Sequence, residues 1–210
     1  HDDLTFLKDG KHFIWTSEQD GWNHIYLYNM NGKLVRQITK GQWEVTDFYG
    51  LDEENEKVFY QAADQSPLER QVYSVDLSGK DKKTLAGTKG YNSAQFSSTF
   101  DFFVNNHRTI NSPSVYEVFD RAGNKIRTIE DNTRLRRLQN EYGVSPVEFF
   151  EFKTGDGVSL NGWMIKPPKL VPNRQYPVFM YLYGGTDRQQ VTDSWKEQNY
   201  WWFQMLAQQG

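Results

Sequence analysis

A strand-turn-strand unit occurs three times in the first 130 residues, and it restricts the folds open to this chain more than any other feature. Ile25-Tyr26-Leu27-Tyr28-Asn29-Met30-Asn31-Gly32-Lys33 returns as Val72-Tyr73-Ser74-Val75-Asp76-Leu77-Ser78-Gly79-Lys80. It returns again as Val115-Tyr116-Glu117-Val118-Phe119-Asp120-Arg121-Ala122-Gly123-Asn124-Lys125. The leading tyrosines, Tyr26, Tyr73 and Tyr116, stand 47 and 43 residues apart. An aromatic strand precedes each copy, at 12–16, 57–61 and 100–104, and a short strand follows each, at 34–39, 82–85 and 126–129. A period of about 40–50 residues with several strands per unit is the signature of β-propeller blades. One small sheet cannot bury both of its faces, whereas sheets stacked around an axis cover one another. A three-hairpin β-sandwich is the competing arrangement; the Tyr-to-Gly core shared by the copies favours the propeller. Three units cannot close a ring, so further blades are expected upstream.

Composition agrees with many short strands joined by polar turns. Aromatic residues make up 16% of the chain, with 14 Phe, 12 Tyr and 7 Trp, and the mean hydropathy is −0.79. Aromatics favour strands and supply large contact areas. The 24 basic and 27 acidic residues give a net charge of −3 with no basic block. Nucleic acid is therefore not the expected partner, because phosphate binding needs clustered Lys and Arg. The absence of cysteine excludes disulfides, thiolate catalysis and zinc–cysteine sites. No segment has the apolar length of a membrane span. The chain opens at His1 without a Met or signal segment and stops at Gly210 after a helical pattern, which reads as an internal piece of a longer protein.

The pattern changes after residue 130. Residues 133–142 have helical spacing, with Leu135 and Leu138 three apart, and Gly143 and Pro146 then break it. Arg134, Arg136 and Arg137 read as the solvated face of a linker helix. Residues 147–152 and 158–165 are β-rich and flank Gly155-Asp156-Gly157, which predicts a hairpin ended by Pro167-Pro168. A strand is predicted at 176–183, then a polar loop, then a helix over 195–207 capped by Asp193 or Ser194 and stopped by Gly210. Within that helix Tyr200, Trp201, Trp202 and Phe203 read as packing against a sheet. The expected organisation is blades over 1–130, a linker helix over 131–145 and a second domain over 146–210.

Few residues here carry chemistry on their own. The nearest string to a Gly-x-Ser-x-Gly elbow, at Gly157-Val158-Ser159-Leu160-Asn161, lacks the second glycine and lies in the hairpin, so Ser159 reads as a strand residue. His1, His12, His24 and His107 all fall in the repeats, and no pair has metal-ligand spacing on a helix. Asp52-Glu53-Glu54 and Asp64 read as solvated loop carboxylates. No phosphate-binding loop follows Gly184-Gly185, and no cofactor or metal is expected. Tyr183 could be an ordinary aromatic at a strand end.

Several segments together resemble the prolyl oligopeptidase family of serine peptidases. They are Asp156-Gly157-Val158-Ser159-Leu160-Asn161-Gly162-Trp163, Pro167-Pro168, Tyr176-Pro177 and Tyr181-Leu182-Tyr183-Gly184-Gly185. Asp20-Gly21-Trp22-Asn23-His24-Ile25-Tyr26, the segment from Ile38 to Val45, and Glu130-Asp131-Asn132 resemble the dipeptidyl peptidase IV branch in particular. The resemblance implies the last three or so blades of a β-propeller followed by the N-terminal part of an α/β-hydrolase domain. It implies a parent that releases N-terminal dipeptides, with Pro or Ala second, from peptide substrates. It makes Tyr183 the oxyanion-hole hydroxyl, with Gly184 and Gly185 supporting its loop, and places the Ser/Asp/His triad outside this chain. The branch commonly has proline where this chain has Thr186. An exported, for bacteria periplasmic, location and a homodimeric parent are further expectations of the branch. An acylaminoacyl peptidase or oligopeptidase, or a non-catalytic scaffold of the same architecture, is the alternative.

Overall fold

The computed structural model describes residues 3–183, 185 and 189–210. The chain divides into two compact units, His1–His107 with Val115–Asp131, and Arg108–Ser114 with Asn132–Gly210.

The first unit is built from three four-stranded antiparallel sheets, each a meander in sequence order. The first comprises β1 (Leu4–Phe6), β2 (His12–Ser17), β3 (His24–Asn29) and β4 (Leu34–Gln37). The second comprises β5 (Val45–Asp52), β6 (Lys57–Ala62), β7 (Gln71–Asp76) and β8 (Lys83–Ala86). The third comprises β9 (Tyr91–Phe96), β10 (Phe102–Thr109), β11 (Ser112–Asp120) and β12 (Lys125–Glu130). The middle sheet buries both faces, as alternation along a strand requires. Val58, Tyr60 and Ala62 of β6, with Tyr73 and Val75 of β7, pack on Ile14, Ile25 and Leu27 of the first sheet. The intervening Phe59 and Val72 turn the other way and pack with Phe103 of the third sheet, against Phe96 and Phe119. A two-layer sandwich would leave each sheet one exposed face. Serial stacking is the blade arrangement that the repeat predicts.

The glycine of each repeat closes the same turn. Gly32 N–H donates to Asn29 O (2.9 Å), Gly79 to Asp76 O (2.7 Å) and Gly123 to Asp120 O (3.0 Å). Their φ angles are 75°, 77° and 87°, in the left-handed region where glycine alone is unstrained. Gly79 and Gly123 also lie close to the sheet before them. A Cβ on Gly79 would stand 3.0 Å from Ile38 O, and one on Gly123 2.7 Å from Leu85 O.

The opening strand of each sheet, β1, β5 or β9, was not evident in the sequence. β1 has three residues, β5 carries Gly50 and two register shifts, and β9 is polar, with Asn92 fully buried. Two carboxylates expected in solvent are enclosed. Asp52 is 8% exposed and accepts from Asn55 N–H (3.2 Å) and Nδ2 (2.8 Å). The Asp64 carboxylate accepts from the Tyr73 hydroxyl and pairs with Lys82. The ammonium of Lys82 also sits over the Trp43 and Tyr73 rings, at 4.7 and 4.3 Å. Turn-like sequence around an aspartate does not reveal a tyrosine that folds back onto it from the next strand.

The second unit holds α1 (Thr133–Glu141), the hairpin β13 (Val147–Lys153) and β14 (Ser159–Ile165), and α2 (Gln198–Gln209). The hairpin pairs in full register from Val147↔Ile165 to Lys153↔Ser159, with Gly157 at φ 88° in its turn. Ser159 opens β14. The core joins Ile110, Val147, Trp195 and Tyr200, with Leu135, Val144, Trp163 and Ile165 around them. Two side-chain amides act as surrogate strand neighbours here. Asn111 bonds both N–H (2.7 Å) and C=O (2.9 Å) of Val147. Gln204, 2% exposed, does the same for Ser145, at 2.8 and 2.7 Å.

Residues 176–183 form no ladder, contrary to the sequence expectation. Their apolar side chains lie open, Val178 at 86% and Leu182 at 68% exposure. A strand apolar on both faces needs a sheet neighbour to satisfy its backbone. Among the described residues none pairs with it. No helix of the described residues is long and apolar enough to cross a membrane.

Candidate functional site

Tyr183 ends the segment 176–183 and is 50% exposed. The segment is seated on α2 through alternate side chains. Phe179 meets Trp202 edge-on with ring centroids 5.1 Å apart, and Tyr181 meets Phe203 at 5.4 Å. Tyr183 follows two residues after Tyr181, with the same parity. Gly185 is exposed. Gly184 and Thr186, which the sequence places in the same loop, lie outside the described residues.

The far side of the loop is held by polar contacts. The Lys196 ammonium donates to Gln190 O (3.0 Å), and Ser194 N–H to Thr192 O (2.8 Å). Asp193 Oδ1 accepts from Ile110 N–H (2.7 Å), and Ser194 Oγ accepts from Arg108 Nε (2.8 Å). Trp195 then packs against Tyr200, with ring centroids 4.0 Å apart. Asp193 and Ser194 therefore do not cap the helix, as their sequence position suggested. α2 begins at Gln198 behind Glu197, which has φ 51° and makes no side-chain cap. The polar groups of Asp193 and Ser194 go instead to the 108–114 hairpin tip, a long-range use invisible to local pattern. At the other end Gly210 is the C-cap, as expected.

Burial pulls the Lys196 ammonium below its ordinary range, and the neighbouring Arg108 charge adds to this, while Asp193 opposes it. Burial raises Tyr200, against the hydrogen bond from Gln139 Nε2 (3.0 Å).

The described histidines serve the blades. His24 is fully buried between Thr39 Oγ1 (3.1 Å) and Gly41 O (3.0 Å), edge-on to Trp43. The carbonyl of Gly41 can only accept, so Nε2 donates to it. His12 pairs with Asp9 (2.6 Å), and His107 bonds Asn92 Oδ1 (3.1 Å) and Thr88 Oγ1 (3.1 Å). No cluster of His, Asp or Glu among the described residues is placed to hold a metal ion.

Residues 1–114 match the family model described as the dipeptidyl peptidase IV (DPP IV) N-terminal region. The chain is 32% identical over 190 residues to dipeptidyl peptidase 4 of Arthroderma otae, and 31% identical over 189 residues to that of Trichophyton rubrum. These alignments cover 89% and 88% of the chain and 24% of each relative. The crystal structure of Porphyromonas gingivalis dipeptidyl peptidase 4 is similar over 99% of this chain and 29% of that one, at 39% identity and a TM-score of 0.90. The chain thus spans about a quarter of the length of its relatives. With a family match over more than half of its residues and a propeller-type stack of sheets beneath it, the chain belongs to the dipeptidyl peptidase IV family.

Proposed function

We propose that this chain is the blade-to-hydrolase portion of a serine-type dipeptidyl peptidase, and that Tyr183 donates a hydrogen bond to the oxyanion of its acyl-transfer intermediate. On this reading residues 146–210 open an α/β-hydrolase domain and 131–145 link it to the blades. The parent removes N-terminal dipeptides with Pro or Ala second. A serine attacks the scissile carbonyl with histidine as base, both supplied by other parts of the parent, and negative charge gathers on the former carbonyl oxygen. A hydroxyl already held where that charge develops is worth about 3 kcal/mol of barrier. The observation that carries the reading is the seating of Tyr183. It closes an apolar segment packed on α2, in a chain 39% identical to a dipeptidyl peptidase 4 along nearly all its length.

The 210 residues alone are expected to hydrolyse nothing. Export and a homodimeric parent belong to the same proposal. The test is Tyr183→Phe in the full-length protein, which keeps the ring and removes the donor. kcat on a dipeptidyl amide should fall on the order of 10²-fold with KM little changed. A kcat within about twofold of wild type contradicts the oxyanion role. A full-length protein that folds but turns over no dipeptidyl substrate supports a binding scaffold instead.

A further inference from the structure

We propose that Phe203 is a positioning residue for Tyr183, holding the end of segment 176–183 through its ring contact with Tyr181. This rests on the oxyanion reading of Tyr183 given above.

The segment lies along α2 and is held from that side. A Cβ on Gly210, at the end of the helix, would stand 3.8 Å from the Tyr176 ring. Nearer the middle of the helix, Phe179 meets Trp202 and Tyr181 meets Phe203. The intervening Val178, Met180 and Leu182 lie exposed and add no support from the other face. The two helix contacts are unequal. Trp202 is 42% exposed, whereas Phe203 is 7% exposed and packs on Trp163 of β14, with ring centroids 5.2 Å apart. Trp163 in turn stands opposite Phe149 in the hairpin ladder and packs against the core that holds Val147 and Tyr200. Phe203 therefore joins the braced part of this unit to Tyr181. Only Leu182 separates Tyr181 from Tyr183, so the chain between them spans at most about 7 Å. A displacement of Tyr181 is thus passed on to Tyr183 through a short, direct stretch of chain. Truncating Phe203 opens a ring-sized space beside Tyr181, and groups around such a space relax partly into it. Chemistry that depends on a donor near 3 Å is sensitive to such shifts, since about 1 Å of misplacement can cost 10²-fold.

The test is a double-mutant cycle in the full-length peptidase, with kcat, KM and Tm measured for each variant. Phe203→Ala should lower kcat on the order of 10-fold with KM within about twofold. In the Tyr183→Phe background the same change should cost less than about twofold, because the group being positioned is already gone. Phe203→Leu refills most of the space and should restore most of kcat. Trp201→Ala is the control for lost packing. It removes a ring of the same helix that meets Tyr142 and Tyr200 instead of the segment, so it should lower Tm while kcat stays within about twofold. A wild-type kcat for Phe203→Ala overturns the proposal. An equal loss in the Tyr183→Phe background, or an equal loss from Trp201→Ala, also overturns it by marking a general structural role. If Tyr183→Phe alone is as fast as wild type, the oxyanion reading fails first, and that single variant identifies the failure. Should Phe203→Ala not fold, Tyr181→Leu removes the same ring contact from the exposed side of the pair and carries the same cycle.

Discussion

At the scale of single residues, turn glycines hold a backbone shape that side chains strain, and buried polar groups tie strands and loops together. The three turn glycines announce themselves by recurrence, and each takes the left-handed φ such a turn needs. What the sequence does not show is that Gly123 also lies against the carbonyl of Leu85 in the preceding sheet. Gly123→Ala therefore meets two penalties, a strained φ of 87° and a Cβ 2.7 Å from a backbone oxygen that cannot step aside. The expected loss is about 2 kcal/mol or more, read as a lower denaturant midpoint with unchanged slope. Gly10→Ala is the control. Its φ is 63° but nothing lies within 4 Å of its Cβ, so it should lose only the conformational part, about 1 kcal/mol. Equal losses at the two positions would contradict the role of the Leu85 contact. Asn92 is a buried polar group that the sequence does not mark: the two hydrogens of its Nδ2 are shared among Arg70 O, Gln71 Oε1 and Thr88 O, and its Oδ1 accepts from Asn105 Nδ2.

At the scale of elements, periodicity found what local pattern can encode and missed what only pairing supplies. The aromatic middle strands, the 147–165 hairpin and α1 were readable, since each alternates or repeats on its own. The opening strands β5 and β9 were not, because each is an edge strand held by the one strand it pairs with, β6 or β10, rather than by a pattern of its own residues. Segment 176–183 is the converse case. Its composition promises a strand, yet hydrogen bonding among the described residues gives it no partner. The start of α2 was misplaced by three residues for a related reason, as Asp193 and Ser194 spend their oxygens on the 108–114 tip rather than on the helix. Tyr183 itself was singled out by resemblance; the anchors on either side of its loop were not legible at all. Gln204 shows how such an element is held. Its amide closes two hydrogen bonds with the backbone of Ser145 in a buried setting, tying α2 to the chain after α1. Gln204→Ala should cost about 2–4 kcal/mol, because both backbone groups lose their partner out of reach of solvent. Hydrogen exchange at the Ser145 amide should speed up accordingly; an amide as protected as in wild type would contradict the clamp.

At the scale of the whole molecule, the repeat unit decided the architecture, and buried tyrosines in the middle strands also set how the fold answers to pH. Tyr26, Tyr60 and Tyr73 recur in the middle strands of the first unit and are at most 1% exposed. Burial, and then the charge of Asp20, pushes Tyr26 up to about 12. Burial and the charge of Asp64 raise Tyr60 further, and burial with the hydrogen bond to Asp64 raises Tyr73 further still. In the second unit burial raises Tyr200. A group whose folded pKa lies above its unfolded value stabilises fully below the unfolded pKa, about 10 for tyrosine, and loses that stability as pH rises toward the folded value. Each tyrosine then removes about 1.4 kcal/mol per pH unit, so the first unit should lose about 4 kcal/mol for each unit above pH 10. Tyr26 stops contributing near pH 12, where its folded form ionises as well. Denaturant midpoints should therefore be flat from pH 8 to about 9.5 and fall steeply by pH 11. Tyr60→Phe separates this from other alkaline effects. The Tyr60 hydroxyl is buried with no hydrogen-bond partner, so its removal should leave stability at pH 8 unchanged or higher, and should reduce the alkaline slope by about one third. A slope identical to wild type would show that the stacked tyrosines of the blades do not govern the alkaline limit of the fold.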